Sequence, residues 1–323
     1  MTEILKSQDL KRAIQILKNG GLVAFPTETV YGLGADAKNV TAVRRVFSVK
    51  NRDFANPLHV NIAEISWMKN IANKPSLMVQ RAMEKFLPGP LTIILPLKDD
   101  VLPKEVTGGL STVGFRIPNN DLALSLIREV GFMVGPSANT SGNFSPTSVE
   151  HVLSDLAGKI EAVLDGGDSI GGLESTVLDV SNVNNPLILR SGAVTKEDLQ
   201  EFFPNIKMAE KNFKKGKNPH LMPVPIVEVN SQEQDWEELI TRARFEKRKI
   251  GLLASAEIVE KFIKKVDEHY VLTYKDDVKQ ASKNLFAGLR MLEEVRLNLD
   301  IIFVQTFTGN GLALAYHNRL LRY

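Results

Sequence analysis

The chain has no cysteine in 323 residues and only five histidines, widely scattered. The first absence excludes disulfides, thiolate metal sites and a cysteine nucleophile, and the second argues against a histidine-rich metal centre. No run of about 18 apolar residues occurs, so no membrane-spanning helix and no membrane partner is expected. A net charge of +2 is too small to demand a nucleic-acid partner. The opening stretch, MTEILKSQDLKRAIQ, is charged and amphipathic rather than signal-like, and a cytoplasmic protein is the expectation. What is present is ordinary: 43% hydrophobic and 24% charged residues describe a globular protein, and the length favours two domains.

Periodicity outlines the fold. Leu10, Ala13, Ile14 and Leu17 follow helical spacing after Ser7, and Asn19-Gly20-Gly21 ends that helix. GLVAF reads as a buried strand, and Asn39 caps a second helix running to about Val49. PLHVNI, LTIILPL, STVGFRIP, FMVGPSA, EAVLD, STVLDV and LILRSG read as further strands, interleaved with helices near 76–86, after Asn120 and after Thr195. Strands and helices do not alternate strictly, which predicts an α/β fold with a mixed sheet. After residue 205 the stretch KMAEKNFKKGKNPHLMPVP is basic, contains three prolines and lacks apolar periodicity, so residues 206–225 read as a linker. Residues 226–323 then read as a small βαβ-type domain, with Phe286, Leu289 and Leu292 on one helical face.

The first candidate site is PTETVYGLGADA. Its GLGADA matches G-x-G-x-x-A, but the preceding strand ends at Phe25 and the next helix starts near Asn39, so the dinucleotide-binding context is missing. No Walker P-loop occurs. The glycines of DGGDSIGGLEST offer either an anion-binding nest or a simple loop. Lys50 and Arg52 stand at a helix end and the loop after it, which is a favourable place for cations whatever their role, and truncating either is expected to leave the fold intact. Arg116 lies inside a strand, where it must reach solvent or an anion. Ser137 and Asn139 end one strand, Ser175 and Thr176 open another, and Arg190 closes a third. Each alone is a cap or a turn. Together they line strand ends with hydroxyls, an amide and cations, a pocket for a polyanion and a polar ligand.

GGLVAFPTETVYGLGADA, KNRDFANPL, STVGFRIP, GPSANTSG, ESTVLDV and LILRSGAV, in this order, resemble the YrdC-like threonylcarbamoyl-AMP synthases, and the C-terminal part resembles the extra domain of their long form. The resemblance implies a twisted, open mixed sheet over residues 1–205, residues 206–225 as a linker crossing the active site, and a second, smaller Rossmann-like α/β domain over 226–323. It implies synthesis of threonylcarbamoyl-AMP and pyrophosphate from L-threonine, bicarbonate and ATP, with Mg²⁺ carried on the ATP and no metal held by protein side chains. A separate transferase complex would pass the group to tRNA, and an RNA contact belongs to the same expectation. By motif, Lys50, Arg52, Ser137 and Asn139 take the catalytic positions and also hold ATP. Thr27, Tyr31, Arg116 and Thr176 fall at the threonine site. Asn56, Thr112, Ser145, Ser175 and Arg190 fall on the nucleotide segments.

Two departures stand out. The family reads NPLxVHI where this chain has NPLHVNI, so Asn61 holds the usual histidine position and His59 lies two residues earlier, on the same strand face, where it could take that histidine's place at the threonine site. The linker keeps only His220 and Pro223 of the family's lid pattern, with His220 the expected contact. Two other readings remain at this point: a non-catalytic double-stranded RNA-binding module, and the disfavoured dinucleotide dehydrogenase.

Overall fold

The computed structural model describes residues 1–209, 224–230, 235–294 and 297–321. His220 and most of the expected linker lie outside the described residues.

Among the described residues eleven strands form one sheet. In chain order they are β1 (Glu3–Leu5), β2 (Val23–Phe25), β3 (Gly32–Asp36), β4 (Val60–Asn61), β5 (Leu91–Pro96), β6 (Thr112–Arg116), β7 (Met133–Val134), β8 (Ala162–Leu164), β9 (Thr176–Asp179), β10 (Leu187–Arg190) and β11 (Lys207–Met208). Their spatial order is β1-β8-β2-β3-β7-β4-β6-β5-β9-β10-β11. Parallel pairs such as β4 with β6 alternate irregularly with antiparallel pairs such as β2 with β3, so the sheet is open and mixed as expected. Alternate residues face opposite layers. Leu22 and Ala24 join the core under helices Val40–Lys50, Leu77–Phe86 and Val149–Leu156, whereas Val23 and Phe25 join the core under helices Leu10–Lys18 and Asp121–Val130. Both faces are covered, which is why these strands carry few polar residues.

Capping sets the ends of the helices that lead into the cleft. The Asn39 side chain accepts the Ala42 N–H at 3.1 Å to start Val40–Lys50. Asn51, with φ of 50°, turns the chain out of that helix immediately after Lys50. The element GLGAD is strand β3, antiparallel to β2 in the register Val23 to Gly34. A glycine-rich turn opening a helix is therefore absent at this place, and the dinucleotide reading falls.

The second domain is a four-stranded, all-parallel sheet of β12 (Ile226–Asn230), β13 (Ile250–Ser255), β14 (Glu268–Thr273) and β15 (Ile301–Thr306), ordered β12-β15-β13-β14. Helices Trp236–Phe245 and Ala256–Phe262 pack on one face, Val278–Leu292 and Leu312–Leu320 on the other. At the boundary, Lys207 and Met208 pair with β10 and Ile206 is buried, so the start of the expected linker belongs to the large sheet. The core under Val278–Leu292 and Leu312–Leu320 also includes Val30, Phe144 and Leu173 of the first domain. The two domains thus share apolar core beside the strand ends.

Candidate active site

A cleft of about 100 Å³ opens where β2 and β7 end and β3 begins. Of the residues anticipated from the sequence, Thr27, Tyr31, Arg52, His59, Arg116, Ser137 and Arg190 line it, together with Asn61 and Glu174.

Of the anticipated catalytic residues, Arg52 and Ser137 line one side, while Lys50 and Asn139 do not reach the lining and lie behind Ser137. Lys50 is fully buried, and its Nζ donates to the Ser137 carbonyl and, at 2.5 Å, to the Asn139 carbonyl. Burial first, then the nearby Arg52 charge, pushes the Lys50 ammonium down to about 7. Arg52 donates to the carbonyls of Asn56 at 3.2 Å and Pro57 at 3.1 Å. Among the described residues neither cation is paired with a carboxylate. Lys50 is no exposed helix-end lysine: removing it would strand two carbonyls in the interior, and the expectation that its truncation spares the fold is corrected here. Asn139 is buried, and its amide donates to the Thr140 and Asn143 carbonyls at 2.9 and 2.7 Å, which fixes the loop after β7.

The opposite side is built from PTETVY. Arg116 lies at the C-terminal end of β6 and meets Glu28 Oε1 at 3.0 Å and Thr29 Oγ1 at 2.7 Å. Thr27 Oγ1 in turn is within 2.9 Å of Thr29 Oγ1 and donates to the Val30 carbonyl at 2.6 Å. Glu28 and Thr29 belong to the polar PTETVY segment, but neither was assigned a role from the sequence. A buried arginine needs an anion, and Glu28 is the carboxylate of the neighbouring polar segment, so the signal was present. Tyr31 points its hydroxyl at the Gly167 carbonyl, 2.8 Å away, and receives the Gly166 N–H. Burial, reinforced by Asp165, Asp168 and Glu150 and opposed by the Gly166 N–H, pushes its phenol up to about 12. The glycine loop is not an open anion nest: the N–H groups of Gly171 and Gly172 are given to the carbonyls of Glu28 and Thr29, and that of Gly167 to Asp165.

His59 and Asn61 both line the cleft, in keeping with strand alternation. Burial, and then Arg116, Arg190 and Arg52, push His59 down to about 3, so its imidazole is neutral at pH 7.

The remaining candidates do not line the cleft. Thr176 is buried with its hydroxyl donated to the Val194 carbonyl at 2.6 Å. Thr112 begins β6, four residues from Arg116 and so about 13 Å along the strand from it. Asn56 contributes its carbonyl to Arg52. Ser145 and Ser175 act one step back. Ser145 donates to Glu174 at 2.9 Å, and Ser175 accepts from Arg190 Nη2 at 2.9 Å while its carbonyl accepts from Arg190 Nε.

A cationic cleft at the strand ends of a mixed α/β sheet, faced by hydroxyls and an already paired arginine, has the chemistry to take an anion beside a second polar ligand. The family model described as "Telomere recombination" matches residues 15–192, and that described as "Threonylcarbamoyl-AMP synthase, C-terminal domain" matches residues 194–322. The threonylcarbamoyl-AMP synthase of Bacillus subtilis is 36% identical, the alignment covering 100% of this chain and 95% of the relative. That of Schizosaccharomyces pombe is 34% identical, over 96% and 87% of the two chains. The crystal structure of Pyrococcus abyssi Sua5 complexed with L-threonine superposes with a TM-score of 0.88 at 34% identity, covering 100% of this chain and 97% of that one. The chain belongs to the threonylcarbamoyl-AMP synthase family. No described helix is long and apolar enough to cross a membrane.

Proposed function

We propose that this chain makes L-threonylcarbamoyl-AMP and pyrophosphate from L-threonine, bicarbonate and ATP, and that a separate transferase complex passes the threonylcarbamoyl group to tRNA. The observation that carries the reading is the contrast within the cleft: Lys50 and Arg52 are held by neutral carbonyls, while Arg116 is held by Glu28. Cations left electrically uncompensated suit a triphosphate. Threonine then sits against the PTETVY segment, whose hydroxyls and arginine suit an amino acid with a hydroxyl side chain.

The neutral amine of threonine condenses with bicarbonate, releasing water and leaving a carbamate. A carbamate oxygen attacks the α-phosphorus of ATP, the bond from that phosphorus to the bridging oxygen breaks, and pyrophosphate leaves. No covalent enzyme intermediate is needed, consistent with a chain that lacks cysteine. Lys50 and Arg52 stabilise charge on the phosphate oxygens, and the loop fixed by Asn139 keeps Ser137 at the cleft wall. Mg²⁺ enters with ATP as part of the substrate. Among the described residues no group of three His, Asp or Glu side chains stands together to hold a metal, and Glu28 and Glu174 each face an arginine.

The test is pyrophosphate release with each substrate omitted in turn, with the nucleotide product identified by mass. Release should need threonine, bicarbonate and ATP together. Valine should be far poorer than threonine, because a site that bonds a hydroxyl rejects an isostere lacking it. Equal release without threonine or without bicarbonate overturns the reading.

A further inference from the structure

A second cavity lies away from the cleft. It encloses about 360 Å³ between the 3-10 helix Ile65–Asn70, the helix Leu77–Phe86 and the chain that leaves β5 at Lys98. It shares no lining residue with the cleft. Strand register accounts for the separation. Ala72 bridges Leu97 just past the end of β5, and Pro96 of β5 stands opposite Thr112, at the end of β6 away from Arg116.

The walls of this cavity are apolar and its rim is cationic. Met68, Ala72 and Met83 are buried, and Ile65 and Pro75 are half-buried. Lys69, Lys74 and Lys98 are exposed and reach the lining from three separate stretches of chain. No carboxylate lines the cavity. Among the described residues none of the three lysines pairs with a carboxylate, and Lys98 Nζ donates to the Lys69 carbonyl at 2.6 Å, which leaves both charges in place. Glu64 faces the Ser66 hydroxyl at 3.2 Å, and Asp99 and Asp100 are exposed, so these neighbouring carboxylates stay outside the lining.

The backbone here has little left to offer a ligand. The Met68 carbonyl accepts the N–H groups of Ile71 and Ala72, and the Ile71 carbonyl accepts that of Lys98. The Pro75 carbonyl accepts from the Gln80 amide at 2.8 Å, and proline has no N–H to give. A peptide or a sugar, which needs hydrogen bonds along its length, finds few partners. No aromatic ring lines the cavity to stack on a flat ligand. Unbranched, adaptable methionines suit a flexible chain instead.

We propose that this cavity binds an aliphatic monocarboxylate of medium chain length, with its chain between Met68 and Met83 and its carboxylate among Lys69, Lys74 and Lys98. At roughly 30 Å³ for each water-sized group the cavity has room for about a dozen, which matches a chain of about ten carbons and its two oxygens. The site stands apart from the activity proposed for the cleft and does not depend on it.

The experiment is a calorimetric titration of the whole chain with decanoate, below the concentration at which decanoate self-associates. One saturable site per chain is expected. Octanoate, two methylenes shorter, should bind about tenfold more weakly. Octan-1-ol should be about tenfold weaker than octanoate, and decyltrimethylammonium weaker than decanoate by at least as much, since the rim attracts an anion. Replacing the three exposed lysines together (Lys69→Gln, Lys74→Gln, Lys98→Gln) should cost decanoate about tenfold or more and leave octan-1-ol within about twofold. Ser66→Trp, at an exposed lining position, should block decanoate. No saturable binding of decanoate by the native protein overturns the proposal. So does octan-1-ol that binds as tightly as octanoate, or decanoate affinity unchanged in the triple variant. A short apolar peptide with a free C-terminal carboxylate that binds where decanoate does not overturns it as well. Sedimentation of a native dimer that Ser66→Trp splits into monomers would put a second copy of the chain on this face, and that also overturns it.

Discussion

The two sides of the cleft use the same residue types in opposite ways. On one side Lys50 and Arg52 donate to carbonyls of Ser137, Asn139, Asn56 and Pro57, which orient them without cancelling their charge. On the other, Arg116 meets Glu28 and Thr29, and Thr27 meets Thr29 and Val30, so the charge is already matched even though Arg116 Nε has no hydrogen-bond acceptor. The difference teaches that a buried cation is readable only through its acceptors. A carbonyl leaves the positive field intact for a ligand, whereas a carboxylate turns the arginine into scaffold.

The largest effect is expected from breaking the uncompensated side. Arg52→Ala should lower pyrophosphate release by about a thousandfold with little change in the urea midpoint, because it removes charge stabilisation from a half-buried loop residue. Lys50→Ala should lose as much activity and also lower the midpoint, since two interior carbonyls lose their donor. Unfolding curves of the two purified variants make the comparison, and coincident curves would contradict the burial argument.

Breaking the matched side should act on stability first. Arg116→Leu leaves Glu28, which is 11% exposed, without its cation, and should destabilise the protein by about 3–5 kcal/mol in urea unfolding. Arg116→Leu with Glu28→Gln should recover most of that. A single variant as stable as the native chain would show that the pair is not a scaffold element.

The comparison sharpens with pH. Lys50 titrates at about 7 in the folded protein and at the ordinary 10.5 when unfolded. Between those values the unfolded chain holds the additional proton, so stability rises with pH across this window, and the unfavourable burial of the charge is felt in full below about 7. Nucleotide binding runs the other way, since the wall loses a positive charge. Affinity for a non-hydrolysable ATP analogue should fall by up to about tenfold between roughly pH 6.5 and 8.5, while threonine binding is measured alongside as the control. A flat profile would place the operative charge elsewhere.

The smallest effect is expected from Tyr31→Phe. It removes the hydroxyl that joins PTETVY to the glycine loop at Gly167 and should destabilise the protein by about 1 kcal/mol, with a modest rise in KM for threonine. Chemical denaturation and steady-state kinetics on one preparation measure both.

Much of this was legible in the sequence. Asn39, Asn120 and Thr195 cap the helices whose starts they mark, because a cap depends on local chemistry alone, whereas Ser7 does not cap the first helix, which begins at Leu10 after a 3-10 turn over Ser7–Asp9. The short strands were harder. β1, β3 and β12 escaped notice, as did helices Val149–Leu156 and Trp236–Phe245, the last with Gln and Glu residues just before it that blur its apolar face. Strand β3 was hidden because its glycines read as a turn, whereas they lie flat against the Phe25 ring. In the site, the motif residues were visible one by one, but their division of labour was not. That Thr176 is spent on Val194, and that Tyr31 holds a loop, depends on partners 18 and 136 residues away.

Gly172 gives the domain contact a consequence for modularity. It adopts φ of 71°, and a Cβ there would run into the Ser282 carbonyl and the backbone of Lys283 on the other domain. At Gly172 the halves therefore meet backbone to backbone, with no side chain at that point to absorb a change in spacing. A C-terminal domain grafted from a relative would be accepted only if its helix presented the same bare backbone at the positions of Ser282 and Lys283. Shuffling whole domains between such enzymes should fail far more often than exchanging single surface residues, and the compatible grafts would be recognised by that seam rather than by overall identity.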